Sequence, residues 1–136
     1  MTLAEKQKQW IEDYGLIENA HERLTALVDR SRRMAPLDES LRTEDRRVTG
    51  CVSAVWVHGT IEDENCHFHM ASDSAMVGGL VGLLCSLYSG HPPGEVAATE
   101  PSILEALQLA RQISPTRMNG LAHVRQVIKA FAERHA

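Results

Sequence analysis

The feature that most constrains this chain is its uncharged, apolar segment from Ala75 to Tyr88. Apolar residues lie all round its helical projection, so a helix here must be covered on most sides. Its 14 residues are too few to cross a bilayer, which takes about 20. Gly78, Gly79 and Gly82 lower helix propensity, and we expect them to let another element approach closely. The segment therefore predicts a buried central helix.

Length and composition describe an ordinary globular chain. Its 136 residues suit one domain, so residues 1–136 are treated as a single unit. The net charge of −4 and the 4% of aromatic residues argue against nucleic-acid and membrane-surface binding. Six arginines fall within Arg30–Arg47, but four acids lie among them. This mixture favours a solvated surface over a docking face for an acidic partner.

The residues before the apolar segment predict two helices and then a β-hairpin. Thr2 and Glu5 have the spacing of a capping box for a first helix. The apolar stripe of Ile17–Val28 predicts a second, amphipathic helix. The β-rich composition of Val48–His58 and the alternation of Cys66–Ala71 then indicate two antiparallel strands.

Further helices are expected from the central one onward. Ser72 is the predicted cap of the central helix, with Asp73 in its first turn. Short helices are predicted over Pro92–Ala98 and from Pro101 to Ala110, and Ser114-Pro115 begins the last helix. That last helix is expected to bury Leu121, Val124, Val127, Ile128 and Phe131. The expected fold is α+β, with a small antiparallel sheet flanked by N-terminal and C-terminal helices.

Sulfur and histidine carry the possible chemistry. Phosphate-loop, dinucleotide-binding, zinc-protease and serine-hydrolase motifs do not occur. The three cysteines are odd in number, and no two have CxxC spacing. Met1–Trp10 is polar and charged, unlike a secretion signal. We therefore expect free thiols in a reducing cytoplasm.

Cys51 is the first candidate for reactivity. It follows Gly50 and is expected to open a strand, on the same face as Val55. Arg46 and Arg47 precede it, and nearby cations favour the reactive thiolate. The alternative is a small buried hydrophobe, the usual fate of a free cysteine. From residue types alone, the alternative is favoured.

The other two cysteines are weaker candidates. Cys66 precedes His67 and His69, with His58 nearby in the hairpin, and such residues are zinc ligands. Strand alternation, however, places Cys66 opposite the histidines, which favours solvated histidines over a metal site. Cys85 lies within the apolar helix and is expected to pack there.

Three separated segments resemble one known family. Gly50–Trp56 reads GCVSAVW, Ser72–Leu80 reads SDSAMVGGL, and Ser114–Leu121 reads SPTRMNGL. Their order and spacing are similar to those of the SufE family of sulfur-acceptor proteins, which includes the CsdE branch. The resemblance covers nearly the whole chain. Departures from the usual family residues occur at Thr49, Ser74, Gly78, Ile113 and Ser114.

The resemblance implies a role for Cys51 in sulfur transfer. Cys51 would accept sulfane sulfur from a group II cysteine desulfurase, activate that enzyme, and pass the sulfur to an iron–sulfur scaffold. The pyridoxal phosphate would belong to the desulfurase, so this chain would carry no cofactor or metal. Asp73 and Arg117 would contact the desulfurase. The resemblance also implies a fold similar to the IscU scaffold, and a monomer or weak homodimer is expected.

Two other functions remain open at the level of sequence. A cluster scaffold would need Cys51, Cys66 and Cys85 to converge on iron. A non-catalytic module could instead regulate a desulfurase without carrying sulfur. For the carrier, we expect Cys51 to be partly buried, with Gly50 as a hinge that lets it swing out when the partner docks.

Overall fold

The computed structural model describes residues 1–136 and consists of six α-helices around a two-stranded antiparallel sheet. The elements are α1 (Leu3–Gly15), α2 (Ala20–Ser31), β1 (Val55–Glu62), β2 (Asn65–Ser72), α3 (Ala75–Tyr88), α4 (Pro93–Ala98), α5 (Ile103–Ala106) and α6 (Pro115–His135). Short 3₁₀ helices cover Glu39–Leu41, Glu44–Arg46 and Leu109–Gln112. The predicted α+β class is confirmed.

The first two helices begin with side-chain caps. The Thr2 hydroxyl accepts a hydrogen bond from the Glu5 N–H, and the Glu5 carboxylate accepts one from the Thr2 N–H, both at 3.1 Å. The predicted capping box is therefore confirmed. The second helix starts later than the apolar stripe suggests, because the Asn19 side chain accepts from the Glu22 N–H and sets its first residue at Ala20.

Helix α3 has the predicted bounds and lies at the centre of the molecule, against α1, α2, α6 and β2. Its glycine face meets α2. A Cβ added at Gly79 would lie 2.4 Å from Val28 Cγ1, and one at Gly82 would lie 3.1 Å from Ser31 Cβ. The Ser31 hydroxyl donates to the Gly79 carbonyl at 2.6 Å. None of the helices combines the length and the apolar character that crossing a membrane requires.

The hairpin is present, but its first strand begins seven residues later than predicted, at Val55 rather than Val48. The Val48 N–H donates to the Val55 carbonyl at 2.8 Å, so this pair closes a loop over residues 49–54. Gly50 has a φ of +85°, a left-handed conformation that interrupts the strand predicted over Val48–His58. Cys51 therefore lies in a loop, and the prediction that it opens a strand on the face of Val55 is wrong.

The helix predicted from Pro101 to Ala110 is broken in the structure. Helix α5 ends at Ala106, and Gln108 adopts a left-handed conformation with φ 58°. The Leu107 carbonyl, which would continue the helix, instead accepts a hydrogen bond from Arg23 Nη1 at 2.6 Å. A contact with α2 thus replaces the next helical turn.

Helix α6 begins as predicted, since the Ser114 hydroxyl accepts from the Arg117 N–H at 3.3 Å. Its inward face differs in two places. Val127 is 37% exposed, whereas Arg125 is 5% exposed. The Arg125 guanidinium lies 4.7 Å from the Tyr88 ring centroid, and its Nη2 donates to the Ala97 carbonyl. Together with a Glu100 carboxylate oxygen 3.5 Å from Nε, the aromatic face and the carbonyl make burial of this cation tolerable.

Two neighbouring glycines of α3 provide a matched test of the helix contact. We expect Gly79→Ala to destabilise the fold by roughly 1–3 kcal/mol, because its Cβ would overlap Val28. We expect Gly78→Ala to stabilise it by roughly 0.5–1 kcal/mol, because its Cβ meets only ordinary contacts at 3.6 Å or more and alanine favours the helix. Urea unfolding of both variants measures the difference. Equal effects would contradict the close approach of α2 to α3.

Candidate active site around Cys51

The Cys51 loop, residues 49–54, rests against helix α6. A Cβ added at Gly50 would lie 2.5 Å from two atoms of the His123 ring, so the glycine backbone lies directly on the imidazole. At the tip of the loop, Val52 is 84% exposed. The loop is therefore held at its base and against α6, while its tip remains free for contact with another molecule.

The Cys51 thiol is half-buried and points to Gly120, the one glycine of α6. Its Sγ lies 3.6 Å from the Gly120 carbonyl oxygen, to which the S–H can donate weakly. A Cβ at Gly120 would lie 3.3 Å from Sγ, so a larger residue here would push the thiol outward by a few tenths of an ångström. Burial raises the pKa of Cys51 above its ordinary value, because removal from water disfavours the thiolate.

The thiol lines a surface pocket of 360 Å³ between the Cys51 loop, α3 and the start of α6. Helix α3 contributes the apolar side, and α6 contributes polar groups at the rim. The main side chains around Cys51 are Val52, Val77, Leu80, Val81, Thr116 and Arg117. A mostly apolar concave surface with a few polar groups is typical of a binding site.

Asp73 holds the end of the Cys51 loop. Its carboxylate accepts a hydrogen bond from the Ala54 N–H at 3.1 Å, and its own N–H donates to the Ala54 carbonyl at 3.3 Å. It precedes α3 rather than lying in its first turn. The predicted cap at Ser72 is also wrong, because the Ser74 hydroxyl accepts from the Val77 N–H and caps the helix. Asp73 is exposed and has a clear positioning role.

Arg117 lies in the first turn of α6, as predicted, and lines the Cys51 pocket. Its side chain is exposed and makes no hydrogen bond or ion pair within the chain. A cation is unfavourable at this end of a helix, since the helix dipole is positive there. The structure thus leaves a free guanidinium beside the pocket that contains the thiol.

The two arginines expected to favour the Cys51 thiolate have other partners. Arg46 Nε donates to His58 Nδ1 at 3.0 Å. Arg47 Nη1 lies 3.8 Å from a Glu44 carboxylate oxygen. Burial is the one cause that shifts the Cys51 pKa, and its direction is upward. The expectation that these arginines promote the thiolate is therefore wrong for the free chain.

The remaining cysteines lie in the core. Cys66 and Cys85 are both fully buried, and burial raises the pKa of Cys85 to about 12. No three histidine, cysteine or acidic side chains come together in a group that could hold a metal ion. The three cysteines thus do not converge as a cluster scaffold would need. His58 pairs with His69 across the hairpin, without Cys66.

Sequence reasoning missed the part of α6 that supports the thiol. Gly120 and His123 lie one turn apart, and they contact Cys51 and Gly50 respectively. A signal for Gly120 was present, because glycine inside a helix costs about 1 kcal/mol and indicates that another group approaches closely. No comparable signal marks His123.

Fold and site together define a class of small α+β protein in which one loop cysteine is held in a surface pocket. The SufE family, described as the Fe-S metabolism associated domain, matches residues 8–132. The chain belongs to this family. The resemblance seen in the three sequence segments is thereby confirmed.

Three known proteins are similar to the chain in sequence or in structure. It is 29% identical over 131 residues to SufE-like protein 1, chloroplastic/mitochondrial, of Arabidopsis thaliana, covering 96% of this chain and 35% of that protein. It is 29% identical over 105 residues to a protein of Plasmodium vivax named cysteine desulfuration protein SufE, covering 74% and 41%. The solution structure of a hypothetical Thermus thermophilus protein shares the fold, with TM-score 0.79, 21% identity and coverage of 96% and 95%.

The contact between Gly50 and His123 can be tested against a matched glycine. Gly50 and Gly90 both have φ +85°, but a Cβ at Gly90 would meet nothing within 4 Å. We expect Gly90→Ala to cost roughly 1–2 kcal/mol of stability from backbone strain alone. Gly50→Ala should cost more and should speed alkylation of Cys51, because the loop must leave the imidazole. Alkylation rates by peptide mapping measure this, and an unchanged Cys51 rate in Gly50→Ala would contradict it.

Proposed function

We propose that the chain is a sulfur acceptor and carrier that takes sulfane sulfur from a cysteine desulfurase on Cys51. Membership of the SufE family supports this role, as does the name of the Plasmodium vivax relative, cysteine desulfuration protein SufE. The observation that carries the proposal is the position of Cys51, the one cysteine of the chain that lines a surface pocket. Cys66 and Cys85 are closed off in the core.

The proposed transfer is a thiolate displacement. The Cys51 thiolate attacks the terminal sulfur of the desulfurase persulfide and forms a new S–S bond. The bond between that sulfur and the desulfurase cysteine breaks, and the desulfurase thiolate leaves with the electron pair. Oxidation levels balance, because the sulfane sulfur only moves from one cysteine to the other. The desulfurase, freed of its persulfide, turns over again, so the carrier activates it.

Partial burial suits a carrier. A half-buried thiol with a raised pKa attacks slowly, and a persulfide in the same place is shielded from small reductants. Transfer therefore requires the Cys51 loop to leave Gly120 when the desulfurase docks. The weak S–H contact at 3.6 Å adds little to the free energy of this release, whereas the packing of Gly50 on His123 opposes it.

The other parts of the system lie outside this chain. The pyridoxal phosphate that generates the persulfide belongs to the desulfurase, and an iron–sulfur scaffold receives the sulfur from Cys51. The separation of Cys51 from the two core cysteines makes the chain a poor scaffold, since iron would lack converging thiolates.

Sulfur loading provides the direct test of the proposal. After incubation with a desulfurase and cysteine, the full chain should gain the mass of one or more sulfur atoms on the Cys51 peptide. Cys51→Ser should lose this gain because no other thiol reaches the surface. Intact-mass analysis followed by peptide mapping under non-reducing conditions measures both proteins.

A Cys66→Ala variant controls for the loss of any cysteine, and it should still be loaded if it folds. Circular dichroism establishes folding of each variant. Loading of the Cys51→Ser protein would contradict the proposal. Full activation of the desulfurase by Cys51→Ser would show that the chain only regulates its partner.

Docking provides a second test. Arg117→Ala should reduce activation of the desulfurase several-fold while leaving the melting temperature nearly unchanged, because the exposed guanidinium has no partner in the free chain. Asp73→Ala should also reduce activation, through the lost bond to Ala54. Arg111→Ala, an exposed arginine outside the pocket, is the control. Equal activation by all three variants and the native chain would remove Arg117 from the interface and would show that activation does not depend on the bond between Asp73 and Ala54.

A further inference from the structure

A second surface pocket, which we name the arginine pocket, lies near the C-terminal end of α6. It has a volume of 290 Å³ and shares no lining residue with the Cys51 pocket. Its principal side chains are Arg46, Arg47, His58, Phe68, Phe131 and Arg134. The proposed sulfur transfer uses none of them, so the pocket calls for its own explanation.

An aromatic ring forms one side of the arginine pocket. A Cβ added at Gly59 would lie 2.8 Å from the Phe131 ring, so the ring lies directly on strand β1. Phe68 meets Phe131 edge to face, with centroids 5.5 Å apart. The two rings fix each other and give the pocket an aromatic wall, which the His135 ring partly covers with its centroid 4.5 Å from that of Phe131.

The charges around the pocket are mainly positive. Three arginines line it, and Asp45 is the one acid that does. Asp45 is 3.9 Å from Arg46 Nη1 and also accepts from the Thr43 hydroxyl. Arg134 has no ion pair and lies 5.9 Å from the Phe131 centroid. Arg47 also has a counter-ion, since its Nη1 lies 3.8 Å from a Glu44 carboxylate oxygen, so Arg134 is the one arginine of the pocket without an ion pair.

His58 adds a neutral donor to the pocket. Because Arg46 Nε donates to His58 Nδ1 at 3.0 Å, that nitrogen carries the lone pair and Nε2 carries the proton. Burial and the adjacent Arg46 lower the pKa of His58, which keeps the ring neutral near pH 7. The imidazole can therefore donate one N–H to a ligand.

We propose that the arginine pocket binds a small organic anion, in which a phosphate or carboxylate group is attached to a flat apolar body. The Arg134 guanidinium and the His58 N–H would bind the anionic group, since charge-assisted hydrogen bonds are the strongest available there. The flat body would lie against Phe131, where Arg134 is already close to the ring. An anion without a ring, or a ring without a charge, would contact only one side of the pocket.

Phenyl phosphate is the probe, titrated into the full chain at low ionic strength and followed by ¹H–¹⁵N spectra. The largest shifts are expected at the amides of Gly59 and Phe131. Inorganic phosphate, which lacks the ring, and phenol, which lacks the charge, should each bind more weakly. Benzoate in place of phenyl phosphate distinguishes a carboxylate ligand from a phosphate ligand, and binding of either supports the site.

Arg134→Gln should weaken phenyl phosphate binding about tenfold, because one charge-assisted contact is lost. Arg33→Gln, an exposed arginine outside the pocket, should leave it unchanged. The absence of shifts at millimolar phenyl phosphate, or equal affinity in Arg134→Gln, would overturn the proposal. Tighter binding of an acidic peptide at the same amides would also overturn it and would identify a protein ligand instead.

Discussion

The close approach of α2 and α3 is the contact on which the rest of the structure depends. An apolar helix without a polar face cannot remain at the surface, so α3 has to be enclosed by its neighbours. Gly79 makes this possible on the α2 side, and Ser31 bonds to the Gly79 carbonyl there. The next residues of α3, Leu80 and Val81, form the apolar side of the Cys51 pocket. The constraint that places α3 therefore also places the surface against which the thiol lies.

Two effects on the Cys51 thiol oppose each other in principle, and the structure decides between them. Burial disfavours the thiolate, whereas cations near the thiol would favour it. Arg46 and Arg47 are held by His58 and Glu44, so only burial acts on the thiol of the free chain. The contact of Cys51 with α6 is at the Gly120 carbonyl, which adds no positive charge. A partner that brings cations or moves the loop can therefore raise the reactivity of this thiol considerably.

The elements that sequence predicted well are those in which local signals and tertiary packing agree. The bounds of α3 follow from one uncharged run, and the Ser114 cap follows from a hydroxyl before a proline. The predictions failed where a residue distant in sequence forms a hydrogen bond with a backbone group. Asp73 takes the Ala54 N–H, and this bond across the chain turns a β-rich sequence into the Cys51 loop. The amino-acid composition of the segment does not reveal such a bond. Likewise, the motif identified Cys51, but only the structure shows that Gly120 and His123 support its loop.

The arginines at the two ends of α6 differ in whether the helix dipole explains their position. A cation in the last turn of a helix is favoured by the dipole, so Arg134 alone has an ordinary structural explanation. A cation in the first turn is disfavoured, so Arg117 has no such explanation, which supports its proposed contact with the desulfurase. The arginine pocket differs, because its cations come from separate parts of the chain. Arg46 and Arg47 come from the segment before the hairpin, yet they line the same pocket as Arg134. Arg46 and Arg47 have partners in His58, Asp45 and Glu44, so it is the unpaired Arg134 beside them that an anionic ligand would complete.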